Sequence, residues 1–175
     1  MCIRDRRSSE VLAGVRFDGA SQDINCSTYP EAADYTFFGL GDVRFADYPG
    51  FEADARDPRI SRAVIVDPGF GDATDPATLQ GALAGMTLIN LGDADRLGAT
   101  DVGPAGNDLA NRLPNASYVE IAPANHFTFL STCKPRAAEP LEEEQDDPIC
   151  TDPDGTDRAT VHVQLIEAIS FGLDL

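Results

Sequence analysis

Groups of complementary proton chemistry fall just past apolar runs in this chain. In YVEIAPANHFTFL, Tyr118–Leu130, a strand-like start enters a proline-containing turn that delivers His126, closely followed by Phe127 and Phe129. Asp67 follows the apolar run Ala63–Val66, and Asp93 and Asp95 follow the run that starts at Met86. A carboxylate accepting from one ring nitrogen of histidine fixes the imidazole tautomer and leaves the other nitrogen to move a proton. Singly, each aspartate also reads as a turn or helix cap, and a histidine after a strand as structural. Their conjunction points to an acid–base relay.

For these groups to meet, the elements before them must end on one edge. AVIV stops sharply at Asp67-Pro68-Gly69, MTLINLG forms a second buried strand, and SYVEIA forms a third. Between them, DPATLQGALAG predicts a short helix after Asp75 with Pro76 at its first position, and GPAGNDLANRLP an amphipathic helix ending before Pro114. DRATVHVQLIEAISFGL predicts a C-terminal helix capped by Asp157, with Val161, Leu165, Ile166, Ile169 and Leu173 packed on the sheet. SEVLAGVRF, Ser9–Phe17, has helical spacing and precedes a turn at Asp18-Gly19; residues 20–57 lack periodicity and read as a lid-like excursion. Strands alternating with helices predict an α/β fold with a mostly parallel sheet and right-handed crossovers, in which ligands bind at the carboxyl ends of the strands. Three strands are one edge of a larger sheet.

Composition narrows the function. The 175 residues, 42% hydrophobic and 25% charged, suit one domain or part of one. A net charge of −17, with Lys134 the single lysine, opposes binding to nucleic acids and anionic membranes. No apolar run reaches the roughly 18 residues of a membrane span. No signal peptide is visible, and the opening MCIRDR looks like translated adapter sequence, so residues 1–7 read as an artefactual leader of a truncated gene, the alternative being a genuine short disordered N-terminus. Cys133 and Cys150 bracket an acidic, proline-containing segment that nothing apolar would hold, for which a disulfide is the economical explanation and two free thiols the alternative. A disulfide there implies an oxidising compartment; the pairing of Cys26 is open. Paired Cys or His spacing for zinc is missing. DPDGTD, Asp152–Asp157, faintly echoes a calcium loop but reads better as a capping turn; His162 reads as structural, and Glu142–Glu144 as a solvated loop face.

Together, AVIVDPGFG, LINLGDADRLG, NDLANRLPNASYVEIAPANHFTFLSTCKP and the DDPIC…DRATVH segment resemble the C-terminal half of the bacterial predicted dienelactone hydrolases. These are secreted α/β-hydrolase-superfamily members related to platelet-activating-factor acetylhydrolases and cutinase-like esterases. The resemblance runs from about Ser8 to the C-terminus, is weakest between Ser21 and Asp57, and implies a partial α/β-hydrolase fold, a small-molecule ester substrate, no cofactor or metal, and a secreted or periplasmic location. His126 matches the family's catalytic base. Asp95 matches the acid after the preceding strand, and Asp67 the position that carries it in acetylhydrolase-like relatives; Asp95 is the favoured of the two. The Gly-x-Ser-x-Gly elbow is absent, and SSEVLAGVRFDG resembles the helix that follows it, so the nucleophile belongs about where IRDR now stands. The resemblance thus implies an esterase fragment, inactive alone. The alternatives are a secreted non-enzymatic binding domain and a calcium-stabilised acidic module; neither the substrate nor the oligomeric state is legible.

Overall fold

The computed structural model describes residues 13–21, 23, 44–69, 71–83, 85–93 and 96–175. Its centre is a parallel sheet of β1 (Ala63–Val66), β2 (Met86–Leu91) and β3 (Ser117–Ile121), in that order, so the chain forms a partial α/β fold. Register aligns Ile65 with Leu88 and Leu88 with Tyr118; one residue on, it aligns Val66 with Ile89 and Ile89 with Val119. Side chains of successive strand residues point to opposite faces, so this register sorts the apolar residues into two layers.

One layer joins Ile65, Met86 and Leu88 to Ala13, Val15, Leu79, Val102 and Leu109, with Tyr118 packed against it. Helices α1 (Pro76–Leu79) and α2 (Leu109–Arg112) lie in the connections on this side. The other layer joins Ile89, Leu91 and Ile121 to Val161 and Leu165 of the long C-terminal helix α4 (Arg158–Leu173). Every residue of β2 is buried, as a central strand covered on both faces requires. Full burial of a side chain such as Leu88 or Ile89 contributes roughly 1.5–3 kcal/mol, so β2 is the main hydrophobic anchor. At Gly172, α4 comes so close that a Cβ would stand 2.6 Å from Val64 Cγ2. The outer edge of β1 pairs with no strand among the described residues.

The caps expected from the sequence form. Asp75 accepts from Ala77 N at the start of α1, followed by Pro76, and Asp157 accepts from Ala159 N at the start of α4. Other expectations are corrected. Residues 9–12 lie outside the described residues, and the rest of the helix expected over Ser9–Phe17 is turn and extended chain. Ala13, Val15 and Phe17 are buried while Arg16 is exposed, a period of two, and Phe17 bridges Thr74 in antiparallel fashion. Asp18 is followed by helical residues, and its carboxylate accepts from Ser21 N. Helix α2 is shorter than predicted because Gly103 and Gly106 wrap the chain around Asp101 first. Ile166 is 63% exposed, since the inward stripe of α4 runs through Val161, Leu165, Ala168 and Ile169.

Cys133 and Cys150 form a disulfide with a Cα–Cα distance of 5.7 Å. Closing a loop of this length contributes about 3 kcal/mol in the chain-entropy picture. The segment inside it holds a helix the sequence reading missed, α3 (Ala138–Glu143), which contains Glu142 and Glu143 and buries none of its residues. No helix among the described residues is long and apolar enough to cross a membrane. The leader at residues 1–7, Cys26 and most of the 20–57 excursion lie outside the described residues.

Candidate functional site

The parallel ladder continues one residue past each of the first two strands: Asp67 N donates to Ile89 O at 2.7 Å, and Gly92 N to Ile121 O at 2.9 Å. Asp67 then takes a left-handed backbone, φ 44°, which aspartate tolerates better than most residues. This turn sends its carboxylate under the end of β2, where Oδ1 accepts from Leu91 N at 2.8 Å and from Asn90 Nδ2 at 3.0 Å. The other oxygen, Oδ2, lies 3.1 Å from His126 Nδ1. Only 1% of the Asp67 side chain is exposed, against 15% for His126. These three contacts give both of its buried oxygens a partner, as burial of a polar group requires.

The contact fixes the ring chemistry. With Nδ1–H donating to Asp67, Nε2 is the basic nitrogen, and no described residue hydrogen-bonds to it. The ring stands edge-on to Phe127, with centroids 5.2 Å apart, and 6.4 Å from Phe129, which is 47% exposed. His126 therefore presents one free nitrogen beside an apolar, solvent-facing wall.

Asn90 supports this pair and was not singled out from the sequence. Wholly buried, it donates from Nδ2 to Asp67 and to Thr100 O at 2.7 Å, and accepts on Oδ1 from Val102 N at 3.1 Å and Tyr118 Oη at 3.3 Å. Burial pushes the Tyr118 phenol above its ordinary value, with the Arg96 cation opposing, so it stays a donor. An amide in the middle of Leu88-Ile89-Asn90-Leu91 is the sequence signal, because a polar group in a buried strand demands partners.

The loop carrying His126 is gripped from below. Thr128, itself buried, places its hydroxyl 2.8 Å from Asp152 Oδ1 and 3.1 Å from Asn125 Oδ1. Arg158 donates to both oxygens of Asp152 at 2.8 Å, and further to Ser131 O and Ile149 O. His162 Nε2 donates toward Thr128 O at 2.9 Å and Leu130 O at 3.1 Å, the structural role expected of it. Gly92, at φ 88°, lets the β2 turn meet this loop, since a Cβ there would lie 2.7 Å from Ala124 O.

No family model, curated protein or solved structure matches the chain. The chemistry of the site is read from its own geometry. Of the sequence candidates, that geometry joins His126 to Asp67. Asp95 lies outside the described residues; Asp93 is exposed, and its carbonyl accepts from Arg96 N at 3.3 Å. Arg96 ties the β2 turn down through Gly92 O, Asp101 and Glu120. The DPDGTD segment is engaged internally, Asp152 by Arg158 and Thr128, and Asp157 by Ala159 N and Thr160 Oγ1.

Asp152 carries a pH signature. Burial alone would raise its pKa, but the hydrogen bonds from Arg158 and Thr128, helped by the nearby charges of Arg158 and His162, outweigh this and lower it below the ordinary 3.8. A carboxylate whose folded pKa is depressed stabilises the fold above its unfolded pKa, and that stability is lost as pH falls through the folded value. The melting temperature of the wild type is therefore expected to fall more steeply below about pH 4 than that of Asp152→Asn, the unfolded pKa being about 3.9. Parallel slopes in thermal melts across pH 2–5 would refute this.

Proposed function

We propose that the chain is the C-terminal part of a secreted α/β-hydrolase that cleaves carboxylic esters through a serine relay, with His126 as base and Asp67 as acid. The observation that carries the reading is the 3.1 Å contact between His126 Nδ1 and Asp67 Oδ2, made across β2 by residues that follow the two outer strands. The parallel sheet supports the fold, and the Cys133–Cys150 disulfide supports an oxidising compartment.

In the proposed reaction, Nε2 of His126 removes the proton of a serine hydroxyl as its oxygen bonds to the ester carbonyl carbon. The imidazolium is held by Asp67. It returns the proton to the departing alcohol as the carbon–oxygen bond breaks, leaving an acyl-serine. Water then attacks by the same route, its proton passing through Nε2 back to the serine, and the carboxylic acid leaves. Phe127 and Phe129 give the ester an apolar surface beside the base. The chain has no Gly-x-Ser-x-Gly, so the reading takes the serine from sequence upstream of Ser8, on a strand that would pair with the outer edge of β1.

The test compares nitrophenyl acetate hydrolysis by the 175-residue chain with hydrolysis by the product of the gene restored upstream. The first is expected to show no saturable turnover, and the second a saturable turnover that disappears with His126→Ala. The absence of the elbow also favours a second reading, a non-enzymatic binding domain on the same fold. An upstream sequence without a strand, Gly-x-Ser-x-Gly and helix would select it, and turnover indifferent to His126→Ala would end the relay.

A further inference from the structure

We infer that Asp152 is a positioning residue for His126, and that the Cys133–Cys150 disulfide fastens it in place. Its activity consequence rests on the function proposed above, but its structural content stands on the clamp alone. The apolar anchorage of the His126 loop is confined to Ala124 before the histidine, since Phe129 is about half exposed and His126 and Phe127 are only partly buried. From the histidine onward, polar contacts from residues 151–162 hold it. Asp152 binds Thr128, two residues past the histidine, and is itself locked by two bonds from the Arg158 guanidinium. Asn125, on the other side of the histidine, donates to Thr151 O at 2.9 Å.

The disulfide brackets this contact. Cys133 lies two residues past Ser131 and Cys150 one residue past Ile149, and both of those carbonyls accept from Arg158. Thr128, Asp152 and Arg158 thus sit where the cross-link joins the ends of an otherwise exposed excursion. Without it, the acidic segment 134–149 would connect them as a free loop, and Asp152 would no longer be delivered under Thr128. A ring swung away from Asp67 loses the hydrogen bond that selects its tautomer. The clamp therefore acts on catalysis through His126, touching neither the ester nor the serine.

The experiment reads the imidazole directly by nitrogen-15 NMR of the 175-residue chain. In the wild type, His126 is expected to be the Nδ1–H tautomer, with a proton protected from solvent by Asp67. Asp152→Ala, and separately the Cys133→Ser/Cys150→Ser double variant, are expected to lose that protected signal while their far-ultraviolet circular dichroism stays unchanged. Should either fail to fold, Thr128→Val removes only the hydroxyl at nearly constant shape and decides alone. Loss of the signal there supports the inference. A folded variant that keeps the tautomer and its protection overturns it, leaving the proposed hydrolase intact. A wild type with no protected Nδ1–H removes the His126–Asp67 pair itself, and the proposed function with it.

Discussion

Asp67→Asn is expected to lower ester turnover in the restored hydrolase by about 10⁴-fold, the loss typical of a relay whose histidine is left in the wrong tautomer. Asparagine tolerates the left-handed backbone at this position, so the turn after β1 survives. Its carbonyl oxygen can still accept from Leu91 N and Asn90, the partners of Asp67 Oδ1. The amide NH₂ then faces His126 Nδ1, which must become an acceptor. The proton moves to Nε2, and the ring can no longer take one from a serine. Substrate binding has no reason to change, so the loss appears in kcat with KM nearly constant. Asp95→Asn, made in parallel, is expected to leave kcat within a few-fold, since Asp67 already engages His126 Nδ1. The reverse ranking at equal expression would hand the acid role to Asp95.

Asn90→Ala is expected to destabilise the fold by about 3–5 kcal/mol, a large share of the roughly 5–15 kcal/mol that holds a domain together. Its amide serves Asp67 Oδ1, Thr100 O, Val102 N and the Tyr118 hydroxyl, all next to a fully buried strand. Truncation leaves several of these without a partner in a place water does not reach. Each buried unsatisfied group costs about 1–3 kcal/mol, and partial relaxation keeps the total below the simple sum. Urea denaturation of wild type and variant measures the difference directly. A loss under about 1 kcal/mol would mean that water replaces the amide, and that Asp67 does not depend on it.

Much of the scaffold was legible because its signals are local. AVIV is apolar without interruption and MTLINL is broken only by Thr87 and Asn90, short runs that suit strands covered on both faces, and Asp75 and Asp157 sit just before the helices they cap. Where local and tertiary signals diverged, the sequence misled. The helical spacing of Ser9–Phe17 gives way, from Ala13 onward, to burial with a period of two because the chain lies against the sheet layer. Helix α3 was missed because it buries none of its residues, which leaves no apolar stripe to read. The site was legible in part for the same reason. Strand ends place several carboxylates on one edge, but which one reaches His126 depends on a single backbone turn at Asp67, and spacing does not encode it. The clamp under Thr128 joins residues distant in sequence through polar contacts, which leave no periodic trace.

The outer edge of β1, unpaired among the described residues, bears on how copies of this chain would meet in solution. Ala63–Val66 is apolar and free of proline and charge, so only its shortness limits its capacity to recruit a second strand where it stands unpaired. Against this works a net charge of −17 on every copy. At low ionic strength that repulsion extends well beyond the molecular surface and keeps edges apart. Salt shortens its reach from about 10 Å at 0.1 M to about 3 Å at 1 M, nearer the roughly 4.8 Å at which strands pair. Colloidal stability then becomes an electrostatic barrier in front of an edge that can pair, so salt is expected to promote self-association and dilute buffer to suppress it.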